Sequence, residues 1–343
     1  MISLRTSFGR KKFIRTLPEN VREGDIVHFQ GVLNYDCPTL FIYQFNSINI
    51  LPDSTLFYWI FPLDLSFPFF KKRLKHHNKK GILNILMKWR RTKLKANIPY
   101  VVIHDVWTKN YYHWITQALP RLLLVQQTGQ SFVLVLPEDH QSEFHTASLK
   151  LLNVDSLQMI ERGNKYYHFE NLWYPTHDIQ IGDYNDDLIV ELRDKLMRVI
   201  KTTQSANPKK IFIYRTSRER RRILNEDDVL QTFLSFGFEV VKFEQLSWLE
   251  QISLTSNTIL LAGVHGAGLT NMIFMPPRSQ VFELTTRING EHYYYFALSN
   301  ALSHRYFYQV CTPDQESVVQ DANLIVDINK LKENITIMLK DAD

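Results

Sequence analysis

Leu260-Leu-Ala-Gly-Val-His-Gly-Ala-Gly-Leu-Thr-Asn271 decides how this chain is read. The aliphatic run that leads into it, Thr258 to Gly263, has the character of a buried strand. A helix is expected near 267–274, so the glycines stand at a strand-to-helix turn. Gly266 and Gly268 permit backbone angles and a close approach denied to other residues. The N–H groups of a first helical turn, around Ala267, face outward at the positive end of the helix dipole and bind an anion. His265 at the mouth would donate to the same anion. The competing role for the glycines is tight packing of strand on helix. The pattern is neither GxGxxG nor a Walker sequence, so it indicates no nicotinamide or P-loop site.

Working outward, the second half alternates strand and helix. Lys210 to Tyr214, Phe238 to Phe243 and Gln280 to Leu284 read as strands. Asn225 caps a helix with an acidic first turn (Glu226, Asp227, Asp228) that stops at Gly237, and Ser247 opens a short one. The preceding stretch shows the same alternation. Tyr100 to His104, Phe132 to Leu136 and 157–161 read as strands, with helices over 110–128, 140–152 and 186–203; Pro120 should kink the first of these. Residues 205–208 read as a linker. This predicts an α/β fold of two Rossmann-like halves facing a cleft, where ligands of open α/β sheets bind. The expected domains are residues 1–98 (irregular or β-rich, with short strands at 25–30, 40–45 and 57–61), 99–204 and 205–343.

Two further constellations carry chemistry. Arg215 ends a strand at the ligand-facing edge, and Arg218, Arg220, Arg221 and Arg222 follow it. Guanidinium groups suit diphosphates because they are permanently charged and bidentate. Arg215 and Arg222 are the chosen pair; the rest would be solvated or paired with Glu219 and Glu226. The second constellation is Asn110-Tyr-Tyr-His-Trp-Ile-Thr-Gln-Ala-Leu-Pro-Arg121, where His113, Gln117 and Arg121 form one polar stripe at i, i+4, i+8. His113 is the candidate general base. Asp105 is the rival base or the group that orients His113, and His104 is a weaker candidate. Glu283, read at a strand end, would accept the two hydroxyls of a ribose. The lone DxD, Asp341 to Asp343, is too peripheral for a catalytic metal, so no metal site is expected.

Composition sets the frame. The 343 residues, 45% hydrophobic and 22% charged, fit a soluble protein with two cores. Two distant cysteines, Cys37 and Cys311, offer no disulfide framework or zinc spacing and fit a reducing, cytoplasmic setting. The start of the chain lacks a signal-peptide core, and Ser54 to Phe70 is broken by Pro62, Asp64 and Pro68. Of 40 Lys and Arg, eleven lie within 71–95, a segment without acids; elsewhere the 35 acids outnumber the bases. With Ile82, Leu83, Ile85, Leu86 and Trp89 at helical spacing, 71–95 predicts a basic amphipathic helix on an anionic membrane surface. A solvated surface helix is the plain alternative, and nucleic acid is the least favoured partner.

Together these motifs resemble glycosyltransferase family 61, which includes plant xylosyl- and arabinosyltransferases, animal O-linked N-acetylglucosaminyltransferases and bacterial capsule or lipopolysaccharide enzymes. The matching residues are Asn110 to Trp114 with Leu119 to Arg121, Tyr214-Arg215 with Arg222 to Glu226, and Gly263 to Asn271 with Val281 to Glu283. Glu291-His-Tyr-Tyr294 also looks like a family segment, placing His292 and Tyr293 near the sugar or base; Gln117 and Arg121 would likewise face acceptor or sugar. The resemblance implies a GT-B fold and inverting, metal-independent transfer from a nucleotide sugar, a UDP-sugar by family weight, to a glycan hydroxyl in surface polysaccharide synthesis. It implies that His265, the following glycines and the arginines hold the diphosphate. A nucleotide-sugar 2-epimerase of the same fold and a non-enzymatic membrane adaptor are the rival readings. No cofactor besides the co-substrate is expected.

Overall fold

In the computed structural model the described residues are 2–63, 79–176, 182–200, 208–215, 220–287, 293–315 and 321–340. They form two compact units, Met1–Lys12 with Asp36–Leu188, and Phe13–Tyr35 with Ile189–Asp343. The division differs from the expected one because the first 98 residues build no unit of their own. Most join the first unit's sheets, while 13–35 belong to the second. There Phe29 lies among Tyr293, Phe296 and Tyr308, with ring centroids 5.1–5.5 Å away. The expected strand at 25–30 is instead a short helix, Ile26–Gln30, which turns Phe29 into that aromatic cluster. The expected linker at 205–208 falls almost wholly outside the described residues.

The first unit holds a six-stranded sheet. Its strands are β1 (Ile2–Phe8), β2 (Leu40–Phe45), β3 (Tyr100–Val102), β4 (Val133–Pro137), β5 (Leu157–Ile160) and β6 (Leu172–Pro175). The order is β1-β2-β6-β3-β4-β5. β6, β3, β4 and β5 run parallel, and the two N-terminal strands add antiparallel at one side. A second sheet runs Phe61–Pro62, Leu56–Tyr58, Ile48–Ile50, Lys165–Phe169, Arg90–Leu94. The expected helix over 71–95 is shorter: Lys79–Lys88 is helical, Arg90–Leu94 is an edge strand, and 71–78 lie outside the described residues.

Beneath the parallel strands the helical segment from Tyr111 to Gln126 is continuous through Pro120. The ring of a helical proline collides with the carbonyl four residues back. Here a π-helical turn over Trp114–Ala118 precedes the proline, which becomes the second residue of Leu119–Gln126. Three histidines gather near Trp114: His104, His140 and His145, each at most 2% exposed. Burial lowers the pKa of His104 to about 3 and of His145 to about 4.

The second unit contains β7 (Lys209–Ile213), β8 (Glu239–Val241), β9 (Thr258–Val264), β10 (Gln280–Thr285) and β11 (Arg305–Val310). All pairs are parallel, in the order β8-β7-β9-β10-β11. Numbered within the unit this is 2-1-3-4-5, a doubly wound order whose direction reverses between the first and third strands. Phe212 stacks on Phe233 of the helix Glu226–Ser235, and Leu331, Ile335 and Met338 of Ile328–Lys340 close the same core. Gly237 ends the first of these helices at φ 76°. Asn225 holds the cap position, but its side chain pairs with the backbone of Val326. Ser247 and Glu250 form a reciprocal capping box. Cys37 and Cys311 are both buried free thiols, and among the described residues no helix is long and apolar enough to cross a membrane.

The buried histidines make stability depend on pH. Their folded-state pKa lies below the unfolded value of about 6.5, so the unfolded chain takes up protons first as pH falls. A histidine that stays neutral in the folded state therefore costs about 2 kcal/mol between pH 7 and 5. Urea midpoints should drop over that interval. The drop should be smaller in His104→Asn, which keeps a donor for the Val135 carbonyl; an equal drop in both would show that His104 does not titrate on unfolding.

Candidate functional site

In the second unit the reversal of strand order lies between β7 and β9, and the chain leaves them as Tyr214-Arg215 and as His265-Gly266. A Cβ on Gly266 would stand 3.1 Å from Nη1 of Arg215. The absence of a side chain is thus what lets the guanidinium lie across this edge. The expected reason was partly backbone angle, but Gly266 is extended at φ 170°, open to any residue. Gly268 serves packing: a Cβ there would lie 3.3 Å from Ile213 Cγ2. The helix expected near 267–274 is present as a 3₁₀ helix, Ala267–Phe274, tighter than an α-helix.

Nη1 of Arg215 is buried and has no hydrogen-bond partner among the described residues. Burial and the neighbouring Arg221 guanidinium hold its pKa below the ordinary arginine value, Glu244 working weakly against them. A buried donor left unmatched costs free energy that an arriving anion recovers. Arg221, not Arg222, is the loop arginine at this edge. Its Nη1 donates to the His265 carbonyl at 3.1 Å and its Nη2 reaches Asp321 at 3.1 Å. Arg221 takes φ 57°, and this turn leaves Arg222 exposed with its backbone N–H on Asn323. Arg221, His265, Thr285, Thr286 and Arg287 line a small pocket past the ends of β9 and β10. Arg221 and Arg287 were missed as site residues because the turn at 221 and the fold around β9 and β10, not local sequence, bring them beside His265. Arg218 lies outside the described residues.

His265 is fixed through a chain of buried groups. Its Nδ1 is hydrogen-bonded to Oε1 of Glu283, and Oε2 of Glu283 accepts from the Tyr306 hydroxyl at 2.5 Å. Glu283 is 1% exposed and sits within β10, so both its oxygens are engaged; the ribose role expected for it does not hold. Burial and the adjacent carboxylate push the Tyr306 pKa well up, keeping it a donor. Tyr295 packs edge-on against the His265 ring. Tyr293, expected near the sugar, is 7% exposed and donates to the His28 carbonyl, which makes it a core residue. His292 lies outside the described residues.

In the first unit His113 caps a different constellation. Its Nδ1 is paired with Gln117 Oε1 at 2.7 Å, and its ring lies 5.9 Å from that of Trp107. Burial lowers its pKa from the ordinary histidine value, the Gln117 bond and the field of Asp105 opposing. Asp105 is tied into the interior instead of to His113. Its Oδ1 accepts from the N–H groups of Trp107 and Thr108, and its Oδ2 takes Arg121 Nη1 at 2.8 Å. Arg121 also donates to Ile103 O at 2.9 Å. Asp105 and Arg121 are 0% and 6% exposed, so the predicted polar stripe divides: His113 and Gln117 are half-buried, whereas Arg121 is a buried anchor. His104 is likewise buried, on the carbonyl of Val135.

The chain is similar to the EGF domain-specific O-linked N-acetylglucosamine transferase of Mus musculus, 34% identical over 142 residues, which cover 36% of this chain and 27% of that protein. The Drosophila melanogaster enzyme of that name is 33% identical over 118 residues, covering 33% and 22%. That of Xenopus laevis is 41% identical over 80 residues, covering 22% and 15%. The matched stretch thus spans about a quarter or less of these relatives' length. The family model described as Glycosyltransferase 61 matches residues 111–282, half of the chain, from the His113 helix through β9 and its glycines into β10, and the chain belongs to that family.

Proposed function

We propose that this chain is an inverting, metal-independent glycosyltransferase of GT-B type that moves a sugar from a nucleotide-sugar donor to a glycan hydroxyl. The observation that carries the reading is the unmatched Nη1 of Arg215 above Gly266, beside Arg221. A diphosphate leaving group needs positive charge and donors at the moment its bond to the sugar breaks. Arg215, Arg221 and Arg287 would supply the charge that a metal supplies elsewhere, and outward N–H groups at Ala267 would add to it. With Nδ1 committed to Glu283, contact between His265 and the donor runs through Nε2.

His113 would take the proton of the attacking hydroxyl, and Gln117 fixes which ring nitrogen is presented. Attack from the face opposite the departing nucleotide inverts the anomeric carbon. The relatives' names make N-acetylglucosamine the first sugar to test, and the family resemblance makes a uridine nucleotide its first carrier. A role in surface polysaccharide synthesis rests on the family resemblance alone.

Thermal unfolding with UDP, GDP and CMP, with and without EDTA, tests the donor site. A nucleotide at 100 times its Kd should add about 2.7 kcal/mol of stability. We expect a shift with UDP that survives EDTA and is lost in Arg215→Ala, whose turnover should fall about 10²–10³-fold. Arg221→Ala should weaken donor binding and Arg222→Ala should not; the reverse ranking would overturn the assignment. Consumption of the donor without any acceptor would favour the epimerase reading instead.

His113→Ala should lower turnover by about 10²–10⁴-fold. Because burial lowers its pKa, the acid limb of the pH–rate profile should lie below the ordinary value of about 6.5. An acid limb above that value would assign the base elsewhere. Asp105→Asn should behave differently, losing about 3–5 kcal/mol of stability by stranding Arg121 in the interior. An Asp105→Asn protein with wild-type melting and abolished turnover would restore Asp105 as the base.

A further inference from the structure

The helix Lys79–Lys88 turns its apolar face into the protein. Ile82 is fully buried, and Ile85, Leu86 and Trp89 pack with Leu51, Phe57, Ile60 and Tyr166. That face, Leu83 apart, is therefore covered by protein. A different apolar surface remains beside it. The strands Leu56–Tyr58 and Phe61–Pro62 form a tight hairpin whose tip holds Trp59 at φ 56°. Trp59 is 71% exposed, and Tyr58 and Phe61 are each about half exposed. On the outward side of the helix, Leu83 and Met87 are 45% and 67% exposed. Hairpin and helix share one hydrophobic cluster, and the helix contacts the strand Phe61–Pro62, so the two elements are neighbours.

Cations are grouped in the chain beside that surface. Lys80, Lys88, Arg90 and Arg91 are exposed, and none makes an ion pair among the described residues. Lys93 is less available, since it pairs with Glu170 at 2.7 Å. From Leu65 to His104 the sequence contains no acidic residue. Aromatic side chains set among unpaired cations match the interface of an anionic bilayer: rings enter the headgroup level and ammonium or guanidinium groups meet lipid phosphate.

We propose that the hairpin tip Tyr58-Trp59-Ile60-Phe61, with Leu83, Met87 and the cations Lys80, Lys88, Arg90 and Arg91, docks this protein on an anionic membrane surface. The proposal is independent of the glycosyltransferase reading.

The test is flotation of the full chain with vesicles of phosphatidylcholine alone and with 30% phosphatidylglycerol, a proportion of the order found in anionic membranes. The protein should float with the anionic vesicles only, and less as salt rises. The double variant Lys88→Gln/Arg91→Gln should weaken partition about 25-fold, from about five-fold per cation. Trp59→Ala should weaken it while leaving melting unchanged, because the side chain supports no core. Equal flotation with neutral vesicles, wild-type partition of either variant, or self-association without lipid binding would each overturn the proposal. UDP binding measured on the same variants should stay at the wild-type level, keeping this outcome separate from that of the donor site.

Discussion

The missing side chain at position 266 shapes the edge on which Arg215 lies. β7 and β9 are neighbours with their C-terminal ends level, so Arg215 and Gly266 meet where the strand order reverses. A Cβ at 266 would stand 3.1 Å from the guanidinium, and the arginine would have to give way by a few tenths of an ångström. Gly263 and Gly268 act one layer below, each admitting Ile213 to within 3.3–3.4 Å of where a Cβ would stand. The three glycines therefore bring β9 and its helix down onto β7, and only one of them also shapes the surface. Packing sets the position of the charge.

Each unit also buries a carboxylate beside a candidate reactive histidine, and in both cases the acid is structural. Glu283 is held by Tyr306 and holds His265; Asp105 is held by Arg121 and two backbone N–H groups and bears on His113 only through its field. An acid near the end of a strand in a doubly wound sheet is a natural candidate for a ligand contact. Burial reverses that assignment, because a carboxylate with both oxygens bonded inside the protein has nothing to offer a substrate.

The parts of this fold that sequence could reach are those set by local periodicity. The strands β7, β9 and β10, the helix after Asn225 and the Ser247 cap are all in place within a residue or two. Features set by long-range packing were not legible. Residues 26–30 have the β-branched look of a strand yet form a helix, because Phe29 is drawn into rings from 293, 296 and 308. Arg221 and Arg222 are indistinguishable by composition, and only the left-handed turn at 221 decides which one faces His265. The same limit applies to 79–88: an amphipathic pattern says that one face is covered, and says nothing of whether protein or lipid covers it.

The edge at Arg215 carries an electrostatic load that the described residues relieve only in part. Arg215 and Arg221 repel one another in a partly buried setting, and Asp321, which answers Arg221, lies on the loop side with Arg220. Burial of an unmatched cation is costly, and proteins tolerate it where a ligand supplies the missing charge. In the first unit the comparable cation, Arg121, is fully matched by Asp105 and Ile103 O. The contrast between a satisfied arginine under His113 and an unsatisfied one above Gly266 separates the residue that holds the fold from the one left to meet an anion.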